Sequence, residues 1–185
     1  GFTSIAAKYG DVELAVSSII MKLLMLYSYF VDGFAYAGEA LTGKYIGAKD
    51  RRSLVKAVKY LFGWTALLVV ISTVAYWVGG EWMVTLMTNQ QSVIEASDPY
   101  MIWLVLMPLF SCAAFMWDGI YIGATASAAI RDCMAWSCVA FYIVYFAMKG
   151  FAGIQALYCA YFAHIIVRAV YMTIFAKKEV FAKVF

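Results

Sequence analysis

Apolar residues gather in five long runs along the chain, about 13–43, 54–79, 99–123, 133–148 and 153–175, with short polar stretches between them. About 20 helical residues cross the hydrocarbon of a bilayer, at 1.5 Å per residue. Four runs reach that length outright, and the fourth reaches it if its helix begins earlier, near Ala126. Inside the runs Leu, Met, Ala, Phe and Tyr follow one another without period-two alternation. Barrel strands would alternate, in segments of about 10 residues. The pattern therefore predicts an all-α, polytopic transmembrane helix bundle of about five spans. The first run exceeds what a bilayer needs and is expected to tilt or protrude. Pro108 removes one backbone hydrogen bond from the third run and predicts a kink, static or hinged, ahead of Asp118. The segment SDPY predicts the start of the third helix, with Ser97 or Asp98 as cap and Pro99 in the first turn. After Gly79 and Gly80, the amphipathic stretch EWMVTLMTNQQSVI predicts either an interfacial segment or a cap on the second helix.

Composition agrees with a membrane setting. The 185 residues are 65% hydrophobic and 14% charged, with a mean hydropathy of +0.82. A soluble domain is about 45–50% apolar and about 25% charged. The net charge of +3 is modest, and no basic patch is interleaved with aromatics, which argues against nucleic acid as a partner. The placement of Lys and Arg is more informative. Lys44, Lys49, Arg51, Arg52, Lys56 and Lys59 cluster between the first two runs, while the stretch 80–98 carries Glu81, Glu95 and Asp98 and no Lys or Arg. Arg131 follows the third run, Lys149 the fourth, and Lys177, Lys178 and Lys183 the fifth. With the first loop cytoplasmic, strict alternation leaves only Lys8 and Lys149 outside, so the positive-inside rule predicts a cytoplasmic C-terminus. The chain opens with Gly1, and residues 1–12 (GFTSIAAKYGDV) read as the end of an earlier span and a tight turn. Cys112, Cys133, Cys138 and Cys159 fall in apolar segments without metal-ligand spacing and read as packing residues.

Charges inside the runs carry the candidate chemistry. Asp32 in YFVDGFAYAGEA and Asp118 in FMWDGIYIGAT are each followed by glycine, and Glu39 comes seven residues after Asp32. A carboxylate at the middle of a span costs about 2.5–3.5 kcal/mol on insertion scales and by default marks a path for ions, protons or substrate. Asp32, Tyr36, Glu39 and Gly43 fit one helical stripe; Asp118, Tyr121 and Thr125 fit another. Gly33, Gly38, Gly43, Gly47, Gly119 and Gly123 permit close helix approach. Such carboxylates can take up a proton or bind Na⁺, and the residues do not choose between the two; a fixed hydrogen-bonding role is the alternative for Asp118 and Glu39. Trp117, Phe115 and Met116 beside Asp118 suit an organic cation, or else lipid. Lys22 is expected to snorkel outward, His164 to be a satisfied packing residue, and Arg168 to reach headgroups at the cytoplasmic end. Trp77 and Trp82 suit an interfacial belt.

Two segments carry a family resemblance. DGFAYAGEALTGKYIGAKD (32–50) resembles the second helix of the C-terminal lobe of multidrug and toxic compound extrusion (MATE) transporters of the DinF-like branch, and WDGIYIGATASAAIR (117–131) is similar to the fourth helix of that lobe and its following loop. The resemblance covers essentially the whole chain, as spans eight to twelve of twelve plus the tail of span seven. It implies that residues 1–185 are a C-terminal transmembrane lobe fragment, part of a six-helix lobe, whose N-terminal lobe is missing and would be its partner. It also implies a multi-pass antiporter of the bacterial inner membrane that exports organic cations, drugs or metabolites by alternating access. The coupling ion would be H⁺ or Na⁺, with no cofactor and no enzymatic activity. Asp118 matches the acidic residue of the C-lobe cavity, and Asp32 and Glu39 match acidic positions of the DinF-like motif. Tyr36, Tyr121, Thr125, Trp117 and Met116 complete the expected substrate cavity. A flippase for lipid-linked saccharides in the same superfamily is the nearest alternative; it is expected to need more cationic cavity residues than Lys22 and Arg168. An intramembrane aspartyl protease is the alternative of another class, although its GxGD motif is missing. A purely structural subunit would leave the paired carboxylates unexplained.

Overall fold

The computed structural model describes residues 10–184. Lys8 and most of the expected turn at 1–12 lie outside the described residues. Among those described, the chain is helical throughout: α1 (Asp11–Gly47), α2 (Arg51–Met87), a short α3 (Gln91–Ser97), α4 (Met101–Gly123), α5 (Ser127–Ala152) and α6 (Gln155–Glu179). One 3₁₀ turn, Asp98–Tyr100, joins α3 to α4, and another, Phe181–Val184, follows α6. Five helical stretches are long and apolar enough to cross a membrane, with α3, the 3₁₀ turn and α4 forming one of them. The chain is thus an all-α multi-pass membrane protein.

The helix ends depart from the apolar runs in three places. Both α1 and α4 stop in the same way. The amide of Asp50 donates to the carbonyl of Tyr45 at 3.0 Å, and that of Ala126 to Tyr121 at 2.9 Å. In each case the preceding residue, Lys49 (φ 53°) or Thr125 (φ 54°), adopts the left-handed conformation of a Schellman-type cap. Asp50 then caps α2 by accepting from the Ser53 amide at 3.0 Å. At the far end, α2 does not break at Gly79–Gly80 but continues to Met87. Gly80 is buried there because the side chains of Met101 and Leu104 fill the space where its Cβ would be. The glycine is a helix-contact residue, not a stop signal. The expected Ser97/Asp98 cap is not made either: the Ser97 hydroxyl donates back to the Ile94 carbonyl at 2.7 Å, and α3 and the 3₁₀ turn run directly into α4. Pro108 lies within an α4 that continues through it, and the Tyr27 hydroxyl donates to the Pro108 carbonyl at 3.1 Å.

Side-chain contacts define two ends. At one, Trp103 bonds Gln155, Tyr158 bonds Ser17 at 3.0 Å, and Asp11, Glu13, Glu81, Glu95 and Asp98 supply negative charge. At the other, the Lys183 ammonium donates to the Ala124 carbonyl beside the close of α4, and the basic loop residues and Arg131 gather. Buried apolar residues form two clusters. One, toward the acidic end, includes Ile20, Tyr27, Val31, Leu104, Ala114, Tyr158 and Ile165. The second, toward the basic end, includes Leu54, Leu61, Met116, Ile120, Tyr121, Cys133 and Met172. Asp32 directly follows Val31 of the first set on α1, Arg168 falls between Ile165 and Met172 on α6, and Asp118 comes just past Met116 of the second set on α4, so a polar layer lies near the boundary of the two clusters.

Candidate functional site

The polar layer is built on a tight crossing of α1 and α4. A Cβ on Gly119 would collide with the Ala35 backbone, and one on Gly123 with the Glu39 backbone. Gly43 lies against the Gly123 carbonyl, and Gly38 against the side chains of Met116, Ile120 and Leu61. Gly33 and Gly47 touch nothing within 4 Å of an added Cβ, so the sequence reading of a glycine contact holds for Gly38, Gly43, Gly119 and Gly123. Gly119 follows Asp118 directly, and Ala35 is one turn from Asp32. The crossing therefore holds Asp32 within electrostatic range of Asp118.

The partner of Asp118 comes from α6. The Arg168 guanidinium donates through Nε to Oδ1 at 3.1 Å and through Nη2 to Oδ2. Both carboxylate oxygens are engaged, in the fork geometry that only Arg provides. The two side chains are 14% and 18% exposed. Arg168 is thus not a headgroup anchor, as its position in the sequence suggested. A nearly buried carboxylate needs a nearby positive charge, because removing one member of such a pair costs about 3–5 kcal/mol. His164, one turn earlier on α6, also acts electrostatically on Asp118 and is paired with the Ser137 backbone of α5. The Cys133 thiol donates to the Arg168 carbonyl at 3.7 Å. Tyr161 lies in electrostatic contact with Arg168, its ring stacked on that of His164 with centroids 6.4 Å apart. Four helices thus converge on one ion pair.

The remaining expected residues disperse. Asp32 and Glu39 are half-buried and make no ion pair among the described residues. Tyr36, on the same stripe, points outward and is 71% exposed. Tyr121 has no exposed surface, and its hydroxyl donates to the Met172 carbonyl at 2.6 Å. Met116 is equally enclosed, with its sulfur accepting from the Thr65 hydroxyl at 3.1 Å. Trp117 is buried and its indole N–H donates to the Thr173 hydroxyl at 2.9 Å. Thr125 is exposed beyond the end of α4, with its hydroxyl turned to the Ala124 carbonyl; the expected stripe ends before it because the helix does. Sequence reasoning missed the Asp118–Arg168 pair. The available signal was a second intramembrane charge, opposite in sign, in a helix that could lie beside α4.

A cavity of about 80 Å³ lies on the acidic-end side of this layer, between α1, α4 and α6. Tyr27, Ser28, Ser111 and Tyr161 give it a hydroxyl lining among Met107 and Phe115, and it has room for a few waters. Among the described residues no three His, Cys, Asp or Glu side chains gather to hold a metal ion.

Comparison with known sequences now gives these features a context. The MatE family model matches residues 2–148. The chain is also 32% identical over 133 residues to the DNA damage-inducible protein F of Escherichia coli (strain K12), a match that covers 72% of this chain and 29% of that relative. The match therefore spans well under a third of the relative's length.

Proposed function

The chain belongs to the MatE family, and from that premise we propose that it serves in a secondary active antiporter that exports organic cations, drugs or metabolites in exchange for H⁺ or Na⁺. In this reading residues 1–185 are a C-terminal transmembrane lobe that works against an N-terminal lobe. The protein resides in a bacterial inner membrane, with its C-terminus and basic loops in the cytoplasm. The observation that carries the reading is the nearly buried Asp118–Arg168 pair, with Asp32 close by, near the boundary of two apolar clusters. A structural contact between α4 and α6 could be made by packed apolar side chains. An ion pair in that setting carries a large desolvation cost, and its retention fits a site whose charge changes during a cycle.

The mechanism uses the chain's own groups. Cation or proton uptake neutralises Asp118 and alters the contact of α4 with α6. Such a change favours one lobe arrangement only to the extent that the ion binds the two arrangements unequally. Rocking then exposes the cavity to alternate sides. Asp32 and Glu39, half-buried on α1, are the next carboxylates available to the same ion. The aspartyl protease alternative fits poorly, because an aspartyl dyad shares one proton between two carboxylates and here both oxygens of Asp118 accept from Arg168.

The test is substrate-dependent cation flux in vesicles containing the full-length polypeptide. Asp118→Asn is expected to lower coupled flux at least tenfold while protein insertion is retained. Undiminished flux in that variant would remove Asp118 from the coupling role.

A further inference from the structure

We propose that Arg168 is a tethered competing cation: it occupies Asp118 while no ion is bound there, and it is handed to Asp32 when H⁺ or Na⁺ takes its place. This inference rests on the antiporter reading and adds a positioning residue to it.

The geometry supplies the argument. Arg168 donates to both oxygens of Asp118, so in this arrangement the guanidinium holds the bidentate face on which a coupling ion would be chelated. An ion that takes that face displaces the guanidinium, and a proton that neutralises the carboxylate releases it. The freed guanidinium stays charged and is attached to α6 in a region where each side chain of the pair is less than a fifth exposed. It needs another anion. Asp32 is the second carboxylate that acts electrostatically on Asp118, it is held there by the α1–α4 glycine crossing, and it makes no ion pair in this arrangement among the described residues.

The titratable groups acting on Asp118 are Asp32 from α1, Cys133 from α5, and His164 and Arg168 from α6, while α2 brings Thr65 and Phe62 against the neighbouring Met116 and Trp117. Tyr161 faces the guanidinium from the other side. Among these groups only Asp32 carries negative charge. The step balances simply. A proton adds to the Asp118 carboxylate, the two guanidinium hydrogen bonds to it break, and the guanidinium keeps its own protons as it re-forms bonds to Asp32. On the return limb Asp118 loses the proton and recovers Arg168, so the lobe resets without a naked buried carboxylate.

Arg168→Gln removes the competitor. In vesicles of the full-length polypeptide, the concentration of H⁺ or Na⁺ that gives half-maximal coupled export is expected to fall by about tenfold, within the usual span for two coupled sites. With H⁺ as the ion, the rising limb of the pH profile moves toward alkaline pH. Substrate-for-substrate exchange should persist while net export slows, because the reset lacks its internal cation. Arg168→Lys keeps the charge but loses the fork, and should restore the wild-type profile only in part. Asp32→Asn should slow net export and raise the half-saturating ion concentration, opposite to the shift in Arg168→Gln, because the displaced guanidinium loses its acceptor. If Arg168→Gln folds poorly, the neutral pair Asp118→Asn with Arg168→Gln should recover protein amount and remain uncoupled.

A purely structural pair predicts otherwise: Arg168→Gln would lower protein amount or thermal stability while half-saturation per transporter stayed put. That outcome overturns the handover. So would an unchanged profile in Arg168→Gln alongside a collapsed one in Asp118→Asn, a result that leaves the antiporter reading standing. Failure of the wild-type protein to show any ion-coupled export would instead remove the reading on which the handover rests.

Discussion

Asp118 and Asp50 both use their carboxylates to hold helices, but at opposite ends of the range of solvent contact. Asp118 is enclosed and matched by Arg168. Asp50 lies in the loop between α1 and α2, where the side chain and amide of Ser53 hold its carboxyl below the ordinary aspartate range. The sign follows from linkage. A carboxyl with a lower value when folded than when unfolded adds stability above its unfolded value, and that stability is lost as pH falls through the folded value. Asp50→Asn keeps a capping side chain but does not titrate. We expect wild type to exceed Asp50→Asn in thermal stability at neutral pH, with the gap closing in acid. Stability curves of the two proteins in detergent across that range check this, and a constant gap would dissociate the cap from its charge. The same contrast shows what could be read from single residues. Asp32 and Asp118 announce themselves because lipid does not tolerate them. The position of Arg168 near the end of its apolar run points to headgroups, because sequence gives depth along a helix and not its facing. What sets its role is which face of α6 meets α4, and that depends on packing of distant segments. Tyr121 and Met116 were read as cavity residues for the same reason: periodicity names a face, but not whether that face meets water or another helix.

Helices pack here through specific small residues, and their positions decide how the polar layer is held. Gly119 and Gly123 lie directly on the α1 backbone, whereas Gly33 touches nothing within 4 Å of an added Cβ. Gly119→Ala must therefore push α1 and α4 apart. Overpacking of this kind typically costs about 1–3 kcal/mol, and here it also moves Asp32 relative to Asp118. Gly33→Ala, on the same crossing helix, has room for its methyl and is expected to be neutral or slightly stabilising. Thermal unfolding of the two variants, followed by tryptophan fluorescence, separates them; equal melting behaviour would contradict the close crossing. At this scale the sequence is largely readable, because apolar run length reports span length directly. All five runs correspond to helices. The departures share one cause. Gly79–Gly80 and SDPY carry local signals for interruption, yet tertiary contact decides: Gly80 is filled by Met101 and Leu104, and the Ser97 hydroxyl turns back to its own helix. Thr125 was placed on a helical stripe that in fact closes at Gly123 through a left-handed cap, which a threonine gives little reason to expect.

Across the whole molecule, charge is sorted along the helix axes. Lys44 to Lys59 around the α1–α2 loop, Arg131 in the first turns of α5, and Lys177, Lys178 and Lys183 at and after the end of α6 gather at one end, while the stretch from Glu81 to Asp98 carries only acidic charge and Lys149 is the cation nearest it among the described residues. The interior is sorted along the same direction, with an apolar cluster toward each end and the Asp118–Arg168 pair near their boundary. A bundle so divided has a definite polarity, and an ion arriving from one side meets a different path from one arriving from the other. From the acidic end, the cavity lined by Tyr27, Ser28, Ser111 and Tyr161 offers hydroxyls toward the layer. From the basic end, the approach passes the Lys and Arg cluster, which repels cations. Orientation therefore bears on the proposed exchange: an ion that enters from outside through this cavity needs the acidic end outside. The positive-inside rule gives that orientation, and single cysteines can test it. In a background in which the native cysteines are replaced (Cys138 is exposed), Asn89→Cys at the acidic end should react with a membrane-impermeant maleimide on intact cells. Lys49→Cys at the basic end should react only after permeabilisation. The reverse pattern would place the hydroxyl-lined cavity on the cytoplasmic side, and the coupling ion would then reach Asp118 from the same side as the substrate.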